Sequence, residues 1–335
     1  MQKSQENPIY TVFLIDDSTK YDLSPAVIEL NFADQKDQIA KSASFSVVNT
    51  QVKGQWLSSI IKVRNRVIIY ADDGTKKDEV FRGFVWTKYY KSALDQKEIQ
   101  IKAYDNLIYF QESEDSQYFS AGKQTEDVLS TICKSWGVTL SYNYSSITHD
   151  KLVLRGALSD IIMTDILDKV KDRTGNDYVI LSIEDVVTIN EVGQNDTVYQ
   201  ILGGNNAIFT RSEQTMDGMI TKVVILGKAG KDDRLPVQAT VTGNTSKYGT
   251  LQKLYDRDEN MSLADAKKEA NTIIQDGGTP KLTYEVQAHD IPWIRKGDLV
   301  YINAGSIQDK NMIVIGIDRS IDNKGKTMTL TVEPQ

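Results

Sequence analysis

Apolar residues recur along this 335-residue chain at two spacings, and the spacing changes twice. Up to about residue 110 the period is two, as in strands whose alternate side chains face a core. Ser42 to Val48 sets Ala43, Phe45 and Val47 on one face. Lys97 to Tyr104 sets Ile99, Ile101 and Ala103 against Glu98, Gln100 and Lys102. Ile9 to Ile15, Val27 to Phe32, Val67 to Tyr70 and Val80 to Tyr90 read as further strands. Asp72-Asp73-Gly74, between the last two, is a hairpin turn of the Asp-Gly kind. About six strands with short turns predict a barrel or sandwich.

The period then becomes helical. Val128, Leu129, Ile132, Cys133 and Trp136 predict an amphipathic helix over Thr125 to Trp136, closed by Gly137. Ile161, Ile162, Ile166, Leu167 and Val170 predict a second, capped by Ser159 and ended by Gly175. Tyr178 to Ile183 and Val186 to Ile189 read as a hairpin. Strands return at Met219 to Leu226, Val237 to Val241, Leu282 to Ala288, Leu299 to Ile302, Met312 to Ile317 and Thr327 to Val332. One helix interrupts them. Ser262-Leu263-Ala264-Asp265 is a capping box with Asp for the usual Glu. Leu263, Ala266, Ala270, Ile273 and Ile274 form its stripe, and Gly277-Gly278 stops it. The reading is α+β, mainly β, in three domains: a β domain over 1–110, an α/β insertion over 111–205, and a second β domain with one helix over 206–335.

A faint repeat links the outer segments. Val63-Arg64, Tyr70 and Gly74 recur as Ile294-Arg295, Tyr301 and Gly305, each 231 residues later. Each copy then meets a strand containing a glycine, Gly83 or Gly316. Each ends on an alternating strand: Ile99, Ile101, Ala103 in the first, Met328, Leu330, Val332 in the second. The echo predicts one β domain present twice.

Charge changes the picture only in the middle. The chain carries a net −7; residues 111–205 hold 15 acidic and seven basic side chains, and the flanks are close to neutral. That balance argues against a basic nucleic-acid-binding face and sequence-specific DNA recognition. The acidic segment reads as a solvated surface, or as one facing a partner or a DNA path that must not hold phosphate. Cys133 is the single cysteine, so no intramolecular disulfide framework exists. Met1 to Pro8 lacks the apolar core of a signal peptide. Runs such as Met312 to Ile317 are too short to cross a bilayer. Folding in a cytoplasm, with no membrane partner, is expected.

Candidate chemistry is sparse. His149 lies in the polar turn Ser145 to Asp150, and His289 ends a strand; neither has a His or Cys at metal-ligand spacing, and both read as surface residues. No nucleophile elbow, P-loop or dinucleotide fingerprint occurs. Asp256 to Asn260 begins like a calcium loop but fails at Met261, where glycine is needed, and at Lys267, where glutamate is needed. Glu112, Glu114 and Asp115 supply the paired carboxylates a glycan-cleaving enzyme would need, a pairing that chance also gives among 46 acidic residues. Tyr89, Tyr90, Tyr142, Tyr144 and the tryptophans Trp56, Trp86, Trp136 and Trp293 read as packing or subunit contacts before sugar-stacking positions. No catalytic, metal or cofactor-binding residue is assigned, no cofactor is expected, and the partner interface is left unplaced.

Several stretches, taken in order, carry a resemblance. They are Tyr21-Asp22-Leu23-Ser24-Pro25, Ala43-Ser44-Phe45-Ser46-Val47, and Ile101-Lys102-Ala103-Tyr104-Asp105 followed by Leu107-Ile108-Tyr109. Ile132-Cys133-Lys134 before Trp136-Gly137-Val138, Tyr248-Gly249-Thr250-Leu251-Gln252, and Ile294-Arg295-Lys296-Gly297-Asp298-Leu299-Val300 complete them. Over nearly the whole chain this resembles the baseplate hub proteins of contractile phage tails and phage-tail-like particles, of the XkdQ type. The resemblance implies two similar tail-tube-like β-barrels flanking the insertion. It also implies a non-enzymatic homotrimeric ring joining a sixfold tail tube protein to a threefold central spike protein, among other baseplate proteins. The ring would leave a central channel, in a virion or tail-like particle assembled in the bacterial cytoplasm. A tail-tip carbohydrate-binding adhesin and a peptidoglycan-degrading tail enzyme are the competing readings. Host-wall binding that depends on exposed tyrosines, or wall lysis that depends on the acid cluster, would favour one or the other.

Overall fold

A computed structural model describes residues 7–92, 97–142, 144, 146–228, 235–258 and 261–335. The chain divides into two compact units, Met1–Arg211 with Glu285–Gln335, and Ser212–Tyr284.

Twelve strands organise the larger unit, some running past its borders. They are β1 (Ile9–Asp16), β2 (Val27–Asp34), β3 (Ser42–Val48), β4 (Arg66–Asp72), β5 (Lys77–Ser92) and β6 (Lys97–Tyr104). Then come β7 (Tyr199–Leu202), β8 (Ala207–Thr215), β9 (Lys281–His289), β10 (Leu299–Ala304), β11 (Ile307–Ile321) and β12 (Lys326–Pro334). The first six pair in the order β2-β3-β6-β5-β4-β1, and the last six in the order β8-β9-β12-β11-β10-β7. The two ladders thus have the same order, strand for strand. They differ at one end, where β1 runs antiparallel to β4 but β7 runs parallel to β10.

The likeness extends to irregularities. On β5, Val85 and Thr87 face Ala103 and Lys102, leaving Trp86 as a bulge; on β11, Val314 and Gly316 face Val332 and Thr331, leaving Ile315. A bulge at the same place in two ladders is a specific feature, because it re-aims everything beyond it. The turn before each hairpin is tied alike. Lys62 N donates to Asn65 Oδ1 at 2.6 Å, and Arg295 N donates to Asp298 Oδ2 at 2.8 Å. Lys88 Nζ donates to the carbonyls of Ser58 and Ile61 at 2.6 and 2.8 Å. Arg319 does the same for Ile291 and Ile294 at 3.1 and 2.7 Å. Gly74 and Gly305 sit at the hairpin tips with φ of 81° and 53°. The 231-residue echo is therefore right at the tips, but the tied turns and the bulges lie two residues either side of it, because each arm of the second hairpin is two residues shorter. Gly83 and Gly316 are not counterparts: Thr87 is the residue that matches Gly316.

The expectation of two barrels is corrected. The strands form an open path within one 13-stranded sheet, which also takes in Thr19–Asp22. The cause lies in strand length. β11 is 15 residues long but only its first half is covered by the six-residue β10. Its second half, Ile317–Ile321, pairs instead with Asp34–Leu30 of β2. The two ladders fuse there rather than closing on themselves. Beneath the first lies a core of Leu14, Leu30, Phe32, Phe45, Val85 and Ile101, joined by Ile321 of the second.

The middle segment has its own core. Helix α1 (Thr125–Ser135) buries Val128, Leu129, Ile132 and Cys133 as its period requires. The second helix, α2, runs over 158–174 with a π-helical stretch at Ile161–Leu167. It starts one residue before Ser159, which makes no capping bond, and it ends at Gly175 with φ of 78°. Tyr178–Ile183 and Val186–Glu191 form the expected hairpin, with Thr139–Tyr142 added parallel to its second strand.

In the smaller unit, Lys222–Leu226 lies between Val237–Thr242 and Gln252–Asp256. Helix α3 (Leu263–Gly277) packs Ala266 and Ala270 on Val223 and Ile225. Ser262 caps it, accepting from Asp265 N at 3.1 Å.

Candidate assembly interface

The seam between β2 and β11 is held by buried charge. Arg319, 4% exposed, places Nε 2.9 Å from Asp290 Oδ1, and Asp290 is itself 4% exposed. The Tyr10 hydroxyl donates to the other oxygen of the same carboxylate. Burial, then the Asp290 charge, push the Tyr10 phenol far above its ordinary range, so it stays a donor. Lys296 Nζ lies 2.8 Å from Asp34 Oδ1 and also donates to the carbonyls of Gln35 and Gln38. Just before β3, Lys41 Nζ donates to Val80 O at 2.9 Å, and burial lowers its ammonium to about 8. Asp105 accepts from Lys41 N and Leu107 N, while burial raises its carboxyl to about 8. Buried ion pairs contribute little net stability, but removing one partner is costly. Such a network fixes which strands meet.

A polar cleft of about 410 Å³ lies beside this network, lined among others by Glu79, Arg82, Trp293, Arg295, Lys296 and Asp298. Part of its charge is already paired. Arg82 pairs with Glu79 at 2.5 Å, and Trp293 Nε1 donates to Asp73 at 2.6 Å.

One of the two histidines differs from expectation. His149 is buried, 3% exposed, with Nε2 2.9 Å from Thr125 Oγ1 and its main chain bonded to Gly122 and Lys123. It secures the start of α1 rather than lying on a surface, and burial lowers its pKa. Ser145, in the same turn, lies outside the described residues, as do Glu259 and Asn260 of the calcium-like loop. No group of metal-ligating side chains occurs among the described residues. His289 is exposed at the end of β9. In the acid cluster, Asp115 accepts from Gln117 Nε2 and from Trp136 Nε1, bonds that keep its carboxyl below the ordinary range and so ionised. Tyr142 and Tyr144 pack edge-on in the middle core.

Trp86, Tyr89 and Tyr90 are different: they remain 41%, 58% and 42% exposed on β5. Trp86 meets Tyr104 and Tyr109 edge-on, which fixes it while leaving one face open. The charged seam itself escaped the sequence reading, since isolated Asp, Lys and Arg in strands and turns look like solvent-facing residues. The signal that was present is Arg319 at alternate spacing between Ile317 and Ile321, on the buried face of β11.

Comparisons with known proteins follow the fold. A family model for YQBQ-like proteins matches residues 30–333. No curated protein matches the chain. The 43 kDa tail protein of prophage MuSo2 from Shewanella oneidensis superposes with a TM-score of 0.71 at 13% identity, covering 97% of this chain and 98% of that one. A tail protein from Neisseria meningitidis MC58 gives 0.68 at 13% identity, covering 96% of each. The E. coli c3393 protein, described as a type VI secretion component similar to T4 tail proteins gp27 and gp5, gives 0.57 at 8% identity, covering 97% of this chain and 76% of that one. The chain thus belongs to the YQBQ-like family and has the fold of phage tail proteins.

Proposed function

We propose that this protein is the structural hub of a contractile-tail baseplate, non-catalytic, acting as a homotrimeric ring. In this reading the ring joins a sixfold tail tube to a threefold spike around a central channel, and residues 111–205 form an acidic insertion between two tube-like segments. The observation that carries it is the repeated ladder: β1–β6 and β7–β12 share one strand order and one bulge position within a single chain. Three chains with two ladders each present six similar elements, which is what a threefold object needs to meet a sixfold one. The tail-protein fold and the type VI secretion relative support the same role. The test is the chain's location. Tail particles purified from producing cells, examined by cryo-electron microscopy and quantitative mass spectrometry, are expected to hold three copies per particle between tube and spike. Absence from those particles rules the reading out.

A further inference from the structure

We infer that the contact between neighbouring copies is strand addition: β8 of one chain pairs with the free edge of β5, residues Lys88–Ser92, of the next. This rests on the hub reading and names its subunit contact. The template lies inside the chain. Counting from the shared bulge, Lys88–Ser92 of β5 corresponds to Ile317–Ile321 of β11. In the second ladder that edge is covered by β2, the terminal strand of the first ladder. In the first ladder β4 covers β5 only from Lys77 to Phe84, and among the described residues no strand pairs with Lys88–Ser92 on the side away from β6. The strand corresponding to β2 is β8, which ends the path and, among the described residues, has β9 as its one strand neighbour. One chain therefore offers both halves of the junction it has already made once internally.

Both unmatched edges carry exposed apolar side chains among their polar ones. Tyr89 and Tyr90 stand out on β5, and Ile208 and Phe209, 47% and 46% exposed, on β8. An unpaired strand edge carrying exposed aromatic residues is a template for another chain. The room is of the right kind, because Lys88 caps the carbonyls of Ser58 and Ile61 as Arg319 caps those of Ile291 and Ile294 beside the strand that β2 covers. The contact is head-to-tail, so it generates a ring if the rotation closes.

That polarity gives the test. Tyr89→Lys with Tyr90→Lys blocks the β5 edge, and Ile208→Lys with Phe209→Lys blocks β8; all four residues are exposed, so each variant should keep the wild-type circular dichroism and melting temperature. Native mass spectrometry should show trimer for the wild type and monomer for each variant alone. An equimolar mixture should give a one-to-one heterodimer, since each variant keeps the edge the other has lost, with slowed hydrogen exchange at Lys88–Ser92. Variants that still trimerise overturn the pairing and leave the hub reading intact, as does a mixture that stays monomeric. A wild type that stays monomeric at every concentration also overturns the pairing, and tail-particle incorporation then judges the hub reading separately.

Discussion

At Gly83 the backbone of β5 passes so near β6 that a Cβ would lie 2.1 Å from the carbonyl oxygen of Tyr104. Backbone cannot move aside as a side chain can, so Gly83→Ala is expected to cost about 2–3 kcal/mol, as overpacking does. At Gly316 the nearest atom to a Cβ is 3.5 Å away, on Thr331, so Gly316→Ala should shift the melting temperature little. Two glycines that look alike in the sequence thus separate in a thermal melt. Asp298 makes a second contrast. Burial raises its carboxyl to about 6, although Arg295 N donates to it. The folded chain holds that proton more tightly than the unfolded one, so the group favours folding at low pH, and its contribution is lost as pH rises through about 6. Asn65 fills the matching position in the first ladder without a charge. Asp298→Asn should therefore be more stable than wild type at pH 8, by on the order of 1 kcal/mol, with the gap closing near pH 4. Melts at both values check the sign.

Between elements, the β2·β11 seam depends on Arg319. Arg319→Met would leave the Asp290 carboxylate buried without its partner and the carbonyls of Ile291 and Ile294 without their donor. A loss of about 3–5 kcal/mol is expected, read from the midpoint of denaturant unfolding. How well each element could be read from sequence follows from how it is buried. β6 alternates cleanly because one face meets the core and the other does not, while β3 alternates in sequence although Ser42 and Ser46 are buried as well; both were legible to the residue. β7 and β8 were missed: among the described residues β8 has one strand neighbour and its side chains are largely exposed, so Arg211 to Gln214 carry no apolar residue to mark a period. The fusion of ladders was also hidden, because it depends on β11 outlasting β10, and strand ends are the least certain part of any pattern. The echo found the repeat from turn chemistry, but slipped by two residues where arm lengths differ. His149 looked exposed because its neighbours are polar, whereas its ring turns inward to Thr125.

For the whole molecule, the internal seam bears on how a ring would be built. A ring of six ladders from six separate chains would need six encounters, each carrying the cost of lost translation and rotation. Here β2 and β11 meet within one polypeptide, at an effective concentration that no dilution alters. Half the joints of the proposed ring are thus made during folding, before any two copies meet. The other half remain subject to mass action, so ring population should depend steeply on protein concentration while every ladder pair stays intact. Chain connectivity would then divide assembly into a folding step that is first order and a closure step that is not.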